Sequence, residues 1–78
     1  MDYREIIKME REDHDESQRA LAEKLGTSQV MVWKYETRQN EMPIRHLIAI
    51  CHHYKVSADY LLNIPYTYRR PKPRAKID

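Results

Sequence analysis

The sequence predicts an all-α domain of five short helices, on three observations. The chain has a single glycine, Gly26, and no tight-turn dipeptide of the kind that closes a β-hairpin. Its apolar residues recur at spacings of three and four, without the sustained alternation that a half-buried strand requires. Serines at positions 17, 28 and 57 stand just ahead of periodic runs, where a hydroxyl can accept the free N–H groups of a starting helix. A chain of 78 residues holds one domain with one modest core.

The first helix is expected over Tyr3 to Asp13, because about 100° per residue puts Tyr3, Ile6, Ile7 and Arg11 on one side. The acidic stretch from Glu12 to Glu16 reads as a solvated connection. Ser17 then caps a second helix, Gln18 to Leu25, with Leu21, Ala22 and Leu25 inward. Gly26 ends it, since glycine takes the left-handed conformation without a Cβ penalty. Ser28 caps the third helix, Gln29 to Thr37. Arg38 to Met42 is a polar loop, and Pro43 suits the first turn of a fourth helix, Ile44 to Lys55. Ile44, Leu47, Ile48, Cys51 and Tyr54 are expected to form its inward stripe. Ser57 caps the last helix, Ala58 to Leu62. The folded domain is expected over residues 1–65. Residues 66–78 are basic and interrupted by proline, and are expected to be disordered when free.

Charge is distributed unevenly. Residues 1–16 carry seven acids against three bases, and residues 65–78 carry five bases against one acid, while the whole chain is at +2. Such asymmetry permits attraction to a polyanion without establishing it. No apolar run approaches the roughly 20 residues that cross a bilayer, and the first 16 residues are too charged for a signal peptide. One cysteine, Cys51, allows no internal disulfide, so a cytoplasmic protein without a membrane partner is expected. His52 and His53 are adjacent and point about 100° apart, so they cannot chelate one metal in the helical i, i+4 manner. The acidic stretch lacks the spacing of a calcium loop, and no nucleophile, base and orienting group form a catalytic set. Neither an enzyme nor a cofactor is expected.

The informative segment is Ser17 to Thr37. Two short helices joined by a tight corner need a small residue where they approach and a glycine at the bend. Ala22 and Gly26 meet that need, in the outline of a helix-turn-helix whose second helix enters the major groove. Helical periodicity puts Val32, Tyr35 and Glu36 inward and Gln29, Val30, Trp33, Lys34 and Thr37 outward. A solvated face gains nothing from valine and tryptophan. A groove does use this set: glutamine bonds adenine at two points, lysine donates to guanine, and valine touches a thymine methyl. The alternative is a structural helix with Trp33 packed under the C-terminal tail.

The residues Ser17, Gln18, Leu21, Ala22, Leu25, Gly26, Ser28, Val32, Tyr35, Glu36 and Pro43, with the closing run from Tyr54 to Leu62, resemble the Cro/C1-type (XRE-like) helix-turn-helix family of bacterial and phage regulators. The resemblance covers about residues 3 to 64 and implies a compact, five-helix, lambda-repressor-like domain. It implies a transcriptional repressor that binds duplex DNA as a homodimer on a two-fold operator. Gln29, Val30, Trp33 and Lys34 would face base edges, with the bulk of Trp33 unusual at its position. Gln18 would hold a phosphate and brace Gln29, while Ser28, Thr37 and Asn40 would touch the backbone. The resemblance also implies a structural ion pair between Arg11 and Glu36. Arg38, expected among the backbone contacts, stands where the family often has glycine, so it either adopts a left-handed conformation or lets the third helix run on. The tail, with Tyr66, Tyr68, Arg69, Arg70, Lys72, Arg74 and Lys76, admits three readings: a DNA-following arm, a protein-binding segment or a solubilising end. Apolar parts of Tyr60, Leu61, Ile64 and Tyr66 are candidates for a two-fold interface. The rival to DNA binding is a module, such as an antitoxin, that masks a partner protein.

Overall fold

The structure, a computed structural model, describes residues 1–65. Five helices follow one another: α1 (Tyr3–Asp13), α2 (Gln18–Leu25), α3 (Gln29–Glu36), α4 (Ile44–Tyr54) and α5 (Ala58–Leu62), with no strand among the described residues. Four of them start on a side-chain cap. Asp2 accepts the Arg4 N–H at 2.8 Å, and the Ser17, Ser28 and Ser57 hydroxyls accept from Ala20, Met31 and Tyr60 at 3.0, 3.2 and 3.2 Å. These bonds satisfy donors that the first helical turn leaves unpaired. Pro43 precedes α4 without a side-chain bond. α4 and α5 stop on the left-handed residues Lys55 and Asn63.

Gly26 makes the corner between α2 and α3 at φ +70°, and no heavy atom lies within 4 Å of where a Cβ would stand. The cost of a side chain there is therefore conformational and not steric. Gly26→Ala is expected to lose about 1–2 kcal/mol in urea unfolding. A loss several times larger would show that the corner is sterically closed.

The core is built from Ile6 and Ile7 of α1, Leu21, Ala22 and Leu25 of α2, Val32 and Tyr35 of α3, Met42 from the following loop, Ile50 and Tyr54 of α4, and Leu61 of α5. The helical wheels of α1, α2 and α3 placed these inward faces correctly. The expected stripe of α4 is corrected: Ile44 and Ile48 are 71% and 54% exposed, and Leu47 and Cys51 are only partly covered. The buried positions are His46, Ile50 and Tyr54, four residues apart. α4 carries apolar residues around most of its circumference, so periodicity leaves two stripes to choose from. Packing against α2 and α5 makes the choice. Leu61 is also corrected. It is fully buried where α5 meets α1 and α4, and is unavailable to an interface, whereas Tyr60 and Ile64 remain exposed. Tyr66 and the rest of the tail lie outside the described residues.

His46 fits the core because its Nδ1 lies 3.3 Å from the Tyr35 hydroxyl. Burial, with Arg45 nearby, pushes its pKa below the ordinary 6.5. The unfolded chain then takes up this proton more readily than the folded one, so the stabilisation holds above pH 6.5 and fades as pH falls through the lowered value. Urea unfolding is expected to show lower stability at pH 5.5 than at pH 7.5, with a smaller drop in His46→Leu. An equal drop in that variant would assign the pH dependence to other groups.

Candidate nucleic-acid interface

α2, the Gly26 corner and α3 form the helix-turn-helix unit, closed by the Thr27 N–H donating to the Ala22 carbonyl at 2.9 Å. Val32, Tyr35 and Glu36 turn α3 into the core, which leaves its other side outside. There Gln29 is exposed, Val30 and Trp33 are 59% and 46% exposed, and Lys34 is half-buried. The four residues singled out for base contact thus share the solvent side of one helix, as the periodicity requires. Trp33 faces outward. The tail residues of the alternative packing lie outside the described residues.

What fixes the angle of α3 is a buried polar network. Arg11 Nε and Nη2 donate to the two Glu36 carboxylate oxygens at 2.6 and 3.0 Å, a two-point pairing of guanidinium and carboxylate. The two side chains are 11% and 3% exposed. Arg11 Nη1 also donates to the Glu16 carbonyl at 2.7 Å. Donating to the Glu36 carboxylate holds the Arg11 guanidinium above its ordinary pKa. Gln18 Nε2 donates to Glu36 Oε1 at 2.9 Å. Gln18 was expected to hold a phosphate and brace Gln29; one amide N–H goes to Glu36 and ties the start of α2 to the end of α3, while the second N–H and the carbonyl oxygen remain for those contacts.

The residues expected at the DNA backbone divide by what already occupies them. The Ser28 oxygen caps α3 while its O–H remains a donor. The Thr37 hydroxyl donates to the Trp33 carbonyl at 2.8 Å and accepts from Gln39 Nε2 at 3.0 Å, so it serves the helix end first. Asn40 is exposed, with its carbonyl accepting from Arg4 Nη1 at 3.0 Å. Arg38 takes the left-handed conformation, φ 63°, so α3 ends at Glu36 and does not run on. Its Nη1 lies 3.1 Å from Glu5 Oε1.

Two features were not read from the sequence. Glu16, expected in a solvated acidic turn, accepts from the Tyr54 hydroxyl at 2.5 Å, and His53 Nε2 lies 2.7 Å from its other oxygen. Burial raises the Glu16 carboxyl, but the bonds from Tyr54 and His53 outweigh it and hold the group below its ordinary pKa. The second is a clamp on the loop after α3. Tyr3 donates to Glu41 at 2.6 Å and accepts the Met42 N–H at 2.9 Å, beside the bond from Arg4 to Asn40. Partners up to 39 residues apart leave no local pattern to find. Among the described residues no three His, Cys, Asp or Glu side chains gather to hold a metal ion, and no helix is long and apolar enough to cross a membrane.

This arrangement agrees with known proteins. The family model described as helix-turn-helix matches residues 7–61. No protein of curated function matches the sequence. Among solved structures the chain is similar to the P22 c2 repressor protein, crystallised in complex with synthetic operator 9T in the presence of Tl+. The TM-score is 0.73 and the identity 29%, over 80% of this chain and 94% of that one. With most of its length matched and the α2–α3 corner built as described, the chain belongs to the helix-turn-helix family, in its Cro/C1-type branch.

Proposed function

We propose that this protein is a sequence-specific transcriptional repressor that inserts α3 into the major groove of duplex DNA. The observation that carries the reading is the outward side of α3. Gln29, Val30, Trp33 and Lys34 stand exposed or half-exposed on a helix whose opposite side is fixed by the Arg11, Glu36 and Gln18 network. Hydrogen-bonding side chains beside apolar ones match the mixture of acceptors, donors and thymine methyls on base edges. Phosphate contacts from Ser28, Arg38 and Asn40 would supply affinity and its salt dependence, and the α3 side chains discrimination. The P22 c2 repressor, similar over most of its length, is seen on an operator. That similarity favours DNA binding over a module whose main task is masking a partner protein.

A homodimer on a two-fold operator belongs to the same proposal, with the exposed Ile44, Ile48, Tyr60 and Ile64 as available apolar surface. The basic tail, from Arg69 to Lys76, would add attraction to phosphates.

The only tryptophan reports on the reading directly. Trp33 emission is expected to be red-shifted in the free protein, to change on titration with a duplex at low salt and to return at high salt. Emission that is blue-shifted and indifferent to DNA would overturn the placement of α3.

A further inference from the structure

The loop from Arg38 to Met42 follows α3 and carries two of the expected backbone contacts. Its shape is not left to the loop itself. Four side-chain links run to it from the first turn of α1: Arg4 to the Asn40 carbonyl at 3.0 Å, Tyr3 to Glu41 at 2.6 Å, the Met42 N–H to Tyr3 at 2.9 Å, and Arg38 to Glu5 at 3.1 Å. Arg38 itself holds a left-handed conformation that residues with a Cβ adopt reluctantly. Its backbone N–H donates to the Tyr35 carbonyl at 3.0 Å, and its side chain reaches Glu5 of α1.

We propose that the first turn of α1 is a positioning element for the DNA-contacting loop, in which Glu5 holds the Arg38 guanidinium in the place that a DNA phosphate takes on binding. The proposal rests on the DNA-binding reading above. Carboxylate and phosphate oxygens engage the same fork of guanidinium donors, so one substitutes for the other without rebuilding the site. The pair is exposed, with side-chain accessibilities of 52% and 40%, and exposed ion pairs are weak. A pair this weak is readily exchanged for a phosphate. The other acid facing Arg38, Asp2, is already engaged by Arg4 Nε and Nη2, both at 2.9 Å. The neighbouring Glu41 accepts from Tyr3 and lies 3.9 Å from Arg4. Among the described residues, Glu5 is therefore the carboxylate that meets Arg38.

Glu5 is then a brake on affinity that acts alike on all sequences. The test is a double-mutant cycle on the full chain, titrating a random-sequence duplex at several salt concentrations with Glu5→Gln, Arg38→Ala and the double variant. Glu12→Gln, on an exposed acid of α1, is the control for net charge. Glu5→Gln is expected to bind about two- to fivefold tighter, the scale of an exposed ion pair. Arg38→Ala is expected to bind more weakly and to lower the salt slope by about one. In the Arg38→Ala background the gain from Glu5→Gln is expected to vanish, because the two act as one unit. A gain that persists there, or one matched by Glu12→Gln, would mean general repulsion from DNA and would overturn the proposal. Wild-type binding with no gain in Glu5→Gln overturns the proposal alone. A wild-type protein that binds no duplex overturns the DNA-binding reading and the proposal with it.

Discussion

Replacing Glu36 by alanine is expected to remove about 3–5 kcal/mol of folding stability, the loss typical of breaking a buried ion pair. The magnitude follows from what is left behind. Glu36 accepts three side-chain hydrogen bonds, two from Arg11 and one from Gln18. Without it, Arg11 keeps its bond to the Glu16 carbonyl but loses its only carboxylate partner among the described residues, in a position where water reaches little of it. In a domain of this size each kcal/mol moves the thermal midpoint by about 4–8 °C, so a fall of more than about 12 °C is expected. Adding Arg11→Met to Glu36→Ala should recover part of the loss, since the stranded charge is then gone. Thermal unfolding of the two variants separates the cases. A loss under about 1 kcal/mol would show that water compensates Arg11, and the network would no longer explain how α3 is held.

The second large effect concerns recognition. Lys34→Ala is expected to change base preference by about 1–3 kcal/mol at one operator position, the worth of a good base contact. That is roughly a 5- to 150-fold change in the affinity ratio of two duplexes. Lys34 lies on the outward side of α3 with its stem half-covered, and its carbonyl accepts the Gln39 N–H at 2.9 Å, so the α3 terminus holds without its side chain. Stability should barely move, while the duplexes selected from a random pool should differ from those of the wild type. Loss of a phosphate contact has another signature: it weakens every duplex alike. If Lys34→Ala alters neither the selected sequences nor the affinity, α3 does not read bases through this residue.

These two cases also mark how far the sequence alone carries. The outward side of α3 was legible because an eight-residue helix with Val32, Tyr35 and Glu36 inward has one way to sit. Glu36 was legible as an interior group by its wheel position, and its pairing with Arg11 by family resemblance. The partner of Gln18 was not, because an amide at the start of α2 reaches Gln29 or Glu36 equally well until α3 is docked. α4 shows the same limit for apolar residues. Ile44 and Ile48 are no less hydrophobic than Ile50, yet only Ile50 is buried.

Local sequence dictates the five helices, their serine caps, the Gly26 corner and the two sides of α3. Each depends on residues within about four positions of one another, where propensity, capping and the helical period act. Packing between helices settles which stripe of α4 faces inward, that Leu61 lies in the core, that Glu16 receives Tyr54 and His53, and that Arg38 ends α3 left-handed against Glu5. Those outcomes join side chains of different helices, and they exist only once the helices have crossed at a particular angle. Burial and hydrogen-bond satisfaction then select one partner among several that the local sequence leaves equivalent.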